Sequence, residues 1–141
     1  MRSDIGSGAR VATYTLLRVV AGLLFAQHGA QKLFGWFGGQ QVTDLLSQLG
    51  IAGVLEFVGG LLIAIGLFTR PVAFVVAGEM AVAYFLQHAS HGFWPILNRG
   101  EPAVLYCFIF LFFAAHGAGP YSLDAFLYAR RRELGPRRGG A

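Results

Sequence analysis

The sequence predicts an all-α integral membrane protein: a four-helix bundle with both termini cytoplasmic and a short amphipathic helix in the first outer loop. Three observations predict it. Hydrophobic residues are 55% of the chain and charged residues only 13%, against about a quarter charged in soluble domains, and mean hydropathy is +0.57. The apolar residues fall into four segments, which at about 20 residues each use most of the 141 available. The basic residues collect on one side of those segments. No separate soluble domain fits, and the chain divides into a leader (1–10), a four-span domain (11–125) and a basic cytoplasmic tail (126–141).

The leader, with its Ser, Gly and Arg residues, is expected to be flexible. The first span, Val11 to Phe34, is longer than a signal-peptide core and is followed by no small-residue cleavage site, so it reads as a retained anchor. It carries Arg18 about two turns in and ends in the polar cluster Gln27, His28, Gln31 and Lys32. Gly35, Gly38 and Gly39 break the helix and leave Trp36 where interfacial aromatics gather. In Val42 to Leu49, Thr43, Asp44, Ser47 and Gln48 interleave with apolar residues, the pattern of the amphipathic surface helix.

The second span runs from about Ile51 to Phe68, with Glu56 near its start and Gly59, Gly60 and Ala64 offering a small-residue face for close helix contact. Thr69-Arg70-Pro71 is a tight connection, Pro71 suiting the first turn of the next helix. The third span extends from Val72 to about His88, with Glu79 at its middle. Ala89 to Gly100 is a loop holding His91, Phe93, Trp94, Asn98 and Arg99. The fourth span, about Pro102 to His116, is short for a bilayer. Ser122 to Arg132 reads as a basic interfacial helix leading into the tail.

Orientation follows from the cations. Arg2, Arg10, Arg70, Arg130, Arg131, Arg132, Arg137 and Arg138 lie on one side, against Lys32 and Arg99 on the other. The positive-inside rule puts the first group in the cytoplasm, which makes the expected location an inner (plasma) membrane crossed several times. The net charge of +4 is then a topology signal and a contact for anionic lipid headgroups. Nucleic acid is not expected, because the arginine tail has no aromatic interleaving or folded module behind it. A lone Cys107 excludes an internal disulfide, a CxxC redox pair and a thiolate metal cage.

His28 and Lys32 stand one turn apart on one helix face. At 1.5 Å per residue they lie within roughly 10 Å of the outer end of the first span, with Glu56 at similar depth in the second. Gln87, His88, Asn98, Arg99 and Glu101 belong to the same layer. Polar groups inside a membrane are costly unless they face protein or a water-filled cavity, so this layer is either interhelical glue or the wall of a ligand pocket. The candidate ligand-binding residues are His28, Lys32, Glu56, Gln31, Phe25, His88 and Trp94. A second level holds Arg18 and Glu79, each roughly 10 to 12 Å from the cytoplasmic end of its span, and a structural Arg18 to Glu79 ion pair is expected. His88 and His91, with His28 or Glu56, are too weak a pattern for a metal site, and a bis-histidine haem would need His28 to face His88. Neither metal nor haem is expected.

Several stretches resemble the DoxX family of small bacterial membrane proteins. They are Arg18, His28-Gly29 with Lys32-Leu33-Phe34-Gly35, Glu56-Phe57-Val58-Gly59-Gly60, Gly66-Leu67-Phe68-Thr69-Arg70, Gly92-Phe93 and Tyr121-Ser122-Leu123-Asp124. The resemblance covers about Leu16 to Asp124 and implies a four-helix membrane bundle in a redox setting. The family takes its name from a subunit of an archaeal thiosulfate:quinone oxidoreductase. Other members are associated with quinone or catechol stress and with a mycobacterial complex of superoxide and thiol defence. Most members have no established reaction.

This chain carries no flavin or nicotinamide fingerprint, so any electrons must travel on a bound quinone or a partner subunit. The expected function is a membrane subunit of a redox or oxidative-stress system whose outer pocket binds a quinone-like molecule. His28 and Lys32 would donate to a carbonyl, Glu56 would position them or exchange protons, and Phe25, Phe93 or Trp94 would flank the ring. If it takes part in catalysis, it does so as a quinone-linked oxidoreductase subunit. The other reading is a non-catalytic anchor or assembly factor whose tail docks a protein partner; in either case the expected partners are the lipid bilayer and a further protein or a second copy of the chain.

Overall fold

In the computed structural model, which describes residues 2–134, helix α1 runs from Arg2 to Phe34. The residues expected to form a separate leader are therefore the first turns of this helix, apart from Met1, which lies outside the described residues. Next come α2 (Gln48–Ile65), α3 (Thr69–Ala83), a single turn α4 (Pro95–Asn98), α5 (Glu101–His116) and α6 (Leu123–Leu134). A π-helical turn (Tyr84–His88) and a 3-10 turn (Ala89–His91) prolong α3. Among the described residues, three helical stretches are long and apolar enough to cross a membrane: Ser7–Phe34, Gln48–Ile65 and Thr69–His91. The fourth, α5, is apolar but has only 16 residues, about 24 Å of helix. Arg137 and Arg138 lie outside the described residues.

The first outer loop departs from expectation. Val42 to Ser47 form no helix, and a 3-10 turn at Trp36–Gly38 is the helical piece between α1 and α2 among the described residues. The polar residues that suggested an amphipathic helix serve the turn instead. Asp44 Oδ1 accepts from the Leu46 N–H at 3.0 Å, and Ser47 Oγ caps α2 by accepting from the Gly50 N–H at 3.1 Å. Such local bonds offer the backbone an alternative to helix. The Val42 N–H donates to Lys32 O at 2.8 Å, folding the segment back on the end of α1.

Helices α1 and α2 are antiparallel and nearly touch backbone to backbone, with Gly22 opposite Gly60 and Gly29 opposite Gly53. A Cβ on Gly60 would lie 2.6 Å from Ala26 N and Gly22 O, so glycine there is a condition of the approach. Gly59, one position away, faces α3 at Val76. Helix α3 packs on α5 through Ala73, Val76, Ala77, Met80, Ala103, Phe110 and Phe113. Phe25 joins α1 to this core edge-on to Phe110, ring centroids 4.7 Å apart. Leu16, Leu17, Val20, Leu23 and Leu24 are exposed on α1, as expected of a helix whose outer face meets lipid.

The other end of the bundle is fastened by Arg18, which is 1% exposed. Its Nη1 donates to Ile63 O at 2.7 Å and Ala64 O at 2.8 Å, and its Nη2 to Tyr121 O at 2.7 Å. The first two carbonyls belong to the last turn of α2, where backbone acceptors have no partners inside the helix and where the helix dipole favours a cation. The expected Arg18 to Glu79 ion pair is absent. Helix α3 begins at Thr69 and not Val72, which takes Glu79 about 4.5 Å deeper, while helix-end carbonyls occupy the guanidinium. Beside it, Asp124 accepts from the Phe68 and Thr69 N–H groups at 2.9 and 3.1 Å, capping α3 from the start of α6. The Tyr14 hydroxyl donates to Gly117 O.

Candidate functional site

Toward the C-terminal end of α1 the helices separate around a cavity of about 760 Å³. Each contributes a stripe at helical spacing. Helix α1 brings Phe25, His28 and Lys32; α2 brings Gln48, Ala52 and Glu56; α3 and its π turn bring Glu79, Ala83, Gln87 and His88; α5 brings Ala103 and Tyr106. Aliphatic residues such as Ile51, Leu55, Val75 and Met80 fill the wall between the polar groups. Apolar walls with a few convergent polar groups suit a small amphipathic molecule.

The strongest polar contact is between Lys32 and Glu56. The ammonium reaches both carboxylate oxygens, and Glu56 is 4% exposed. Glu56 can be buried only because its charge is matched. Close α1–α2 packing brings the two together: Gly53 lies against Lys32 Cβ, so the lysine stem crosses α2 one turn before Glu56.

Glu79 stands across the cavity without such a partner, its Oε2 buried and making no hydrogen bond. His28 meets the Tyr106 ring edge-on at 6.1 Å. These two residues also line a second cavity of about 300 Å³ with Gln27, Gln31 and Phe37. They thus form the partition between the two spaces.

The π turn serves the rim. Tyr84 donates its hydroxyl proton to Phe93 O, and Asn98 Nδ2 donates to Gly92 O at 2.6 Å. His88 Nδ1 lies 3.1 Å from Asn98 O. A π turn adds one residue per turn and is often found at functional sites; here it carries both Tyr84, which holds the loop, and His88, which lines the cavity.

The seven residues expected to bind a ligand therefore separate. Phe25, His28, Lys32, Glu56 and His88 line the larger cavity. Gln31 lines the smaller one. Trp94 is 64% exposed on the loop and lines neither. Among the wall residues that the sequence reading did not assign to the site are Tyr106 and Glu79. Glu79 was legible: Glu79, Ala83 and Gln87 follow each other at i, i+4 and i+8, so they share a face with a residue already assigned to the outer layer. Tyr106 sits in an unbroken apolar run and gave no such signal. Among the described residues no group of three His, Cys, Asp or Glu side chains could hold a metal ion, and His91 Nδ1 lies 3.2 Å from Gln87 O.

Comparison with known proteins gives consistent relatives. An uncharacterised protein of Haemophilus influenzae is 44% identical over 116 residues, covering 77% of this chain and 85% of its own. The inner membrane protein YqjF of Escherichia coli is 31% identical over 116 residues, covering 78% of this chain and 88% of its own. No solved structure matches significantly. The family model for DoxX matches residues 13–89, which include most of α1, all of α2 and α3, and the five charged or imidazole residues of the cavity wall, His28, Lys32, Glu56, Glu79 and His88. With helices that are long and apolar enough to span a bilayer, the chain is a membrane protein and belongs to the DoxX family.

Proposed function

We propose that this protein serves in a membrane redox or oxidative-stress system by holding a quinone-like amphipathic molecule in the larger cavity. One observation carries the reading: a space of about 760 Å³ with mainly aliphatic and aromatic walls and a small set of ionisable groups, the size and character of a site for one ring-bearing ligand. The family's redox associations supply the setting. On the positive-inside argument both termini are cytoplasmic and the cavity opens toward the outer side of a bacterial inner membrane.

In this reading Phe25 and Tyr106 supply aromatic faces for the ring. The Lys32–Glu56 pair fixes α1 to α2 at the cavity wall, and His28 separates the main space from the smaller one. The experiment is native mass spectrometry of the protein released gently from its own membranes. A stoichiometric quinone-mass adduct that a Phe25→Ala, Tyr106→Ala double variant loses supports the reading. A protein that carries no such adduct but retains another polypeptide overturns it in favour of a non-catalytic anchor. That second reading draws on α6, whose Arg130, Arg131 and Arg132 are exposed on a short helix after the bundle.

A further inference from the structure

We infer that Glu79 is the residue that meets the ligand's polar head, donating a hydrogen bond from its carboxylic acid to a ligand oxygen. The inference rests on the proposed ligand cavity and replaces the sequence-based assignment of Lys32 and Glu56 to that task.

The argument is one of availability. Lys32 already bonds both oxygens of Glu56, and turning either toward a ligand would strand the other as a buried, uncompensated charge. His88 has its Nδ1 beside Asn98 O, and His28 faces the Tyr106 ring. These are the titratable groups that α1, α2, the π turn and α5 present to the cavity. Glu79, on α3, is the acidic group left, and its Oε2 is buried without a hydrogen-bond partner.

An ionised carboxylate with no cation and no donor is the costliest state for such a group within the apolar part of a bundle. A neutral carboxylic acid needs only an acceptor for its proton. The Lys32 ammonium is matched one for one by Glu56, so no lysine or arginine of the cavity wall is left for Glu79. A carbonyl oxygen on a quinone-like ring supplies the missing acceptor, and the aliphatic wall around Val75 and Met80 accepts the ring.

Two variants test this. Glu79→Gln keeps an N–H donor at the same reach, whereas Glu79→Leu keeps the volume and removes the donor. Purified protein in detergent is titrated with a decyl-substituted benzoquinone by equilibrium dialysis. The expected result is binding by Glu79→Gln within about threefold of the unsubstituted protein and at least about tenfold weaker binding by Glu79→Leu, the scale of one lost hydrogen bond. Undiminished binding by Glu79→Leu overturns the inference, as does Glu79→Gln binding as weakly as Glu79→Leu, which would mean that the site needs an ionised carboxylate. The ligand-free protein gives a second measurement by infrared spectroscopy. A protonated-carboxyl stretch at neutral pH that disappears in Glu79→Gln and survives in the Lys32→Met, Glu56→Met double variant, which removes both members of the matched pair, is expected, and its absence overturns the donor role. If the unsubstituted protein binds no benzoquinone, the proposed ligand fails, while the infrared band still decides the state of Glu79.

Discussion

Replacing Arg18 with Met isolates what its guanidinium does, because Met retains most of the apolar stem that packs in the bundle. Three carbonyls accept from Arg18. Ile63 O also accepts from the Gly66 N–H at 3.1 Å and stays satisfied. Ala64 O and Tyr121 O lose the donor that Arg18 provides. A buried polar group left unsatisfied costs about 1–3 kcal/mol; Ala64 O should bear that cost in full and the part-buried Tyr121 O a smaller one. The assay is unfolding in mixed micelles by increasing denaturing detergent, followed by circular dichroism. Glu79→Gln is the control and should shift stability by less than about 1 kcal/mol, since Glu79 makes no bond to Arg18 and Gln keeps its size while avoiding an unpaired charge. The reasoning is refuted if Arg18→Met stays within about 1 kcal/mol of the parent. Equal destabilisation by Glu79→Gln would also refute it and restore the ion pair.

The same titration reads the further substitutions. Gly60→Ala places a Cβ 2.6 Å from the α1 backbone and should cost about 1–3 kcal/mol by forcing the helices apart, whereas Gly78→Ala meets nothing within 4 Å and should gain about 0.5–1 kcal/mol from helix propensity. Asp124→Ala uncaps two N–H groups of α3 and should cost about 1–2 kcal/mol. Lys32→Met alone leaves Glu56 buried without its cation and should cost about 3–5 kcal/mol, while Lys32→Met combined with Glu56→Met should recover most of that loss; equal losses in the single and double variants would show that the pair's charges are not matched to each other.

Much of the bundle could be read from sequence because lipid imposes one strong rule, a long apolar stretch for each crossing. Gly59 and Gly60 also spoke plainly: small neighbours on a span imply close packing, and they face α3 and α1 respectively. The site was only partly legible. Lys32 and Glu56 are opposite charges at matched depth, and the structure pairs them. Arg18 was assigned the wrong partner, because the sequence names side chains and its acceptors are backbone carbonyls. The start of α3 was misplaced for a related reason, since the cap that permits it comes from Asp124, 55 and 56 residues away from the two N–H groups it serves. The outer loop misled through composition, as Asp44 and Ser47 suit a turn as well as the polar face of a helix.

The acceptors of Arg18 also bear on how the chain enters the membrane. They lie 45, 46 and 103 residues downstream of it. On a growing polypeptide α1 is made first, and its guanidinium has nothing to bond until the end of α2 has been synthesised. An arginine within an inserting helix carries a penalty of up to about 2.5–3.5 kcal/mol, the value at the helix centre, and α1 bears this alone only while it is the sole helix present. Insertion of the first helix is therefore completed by arrival of the second, with the two settling into the bilayer as a hairpin and the last connection made when Tyr121 emerges.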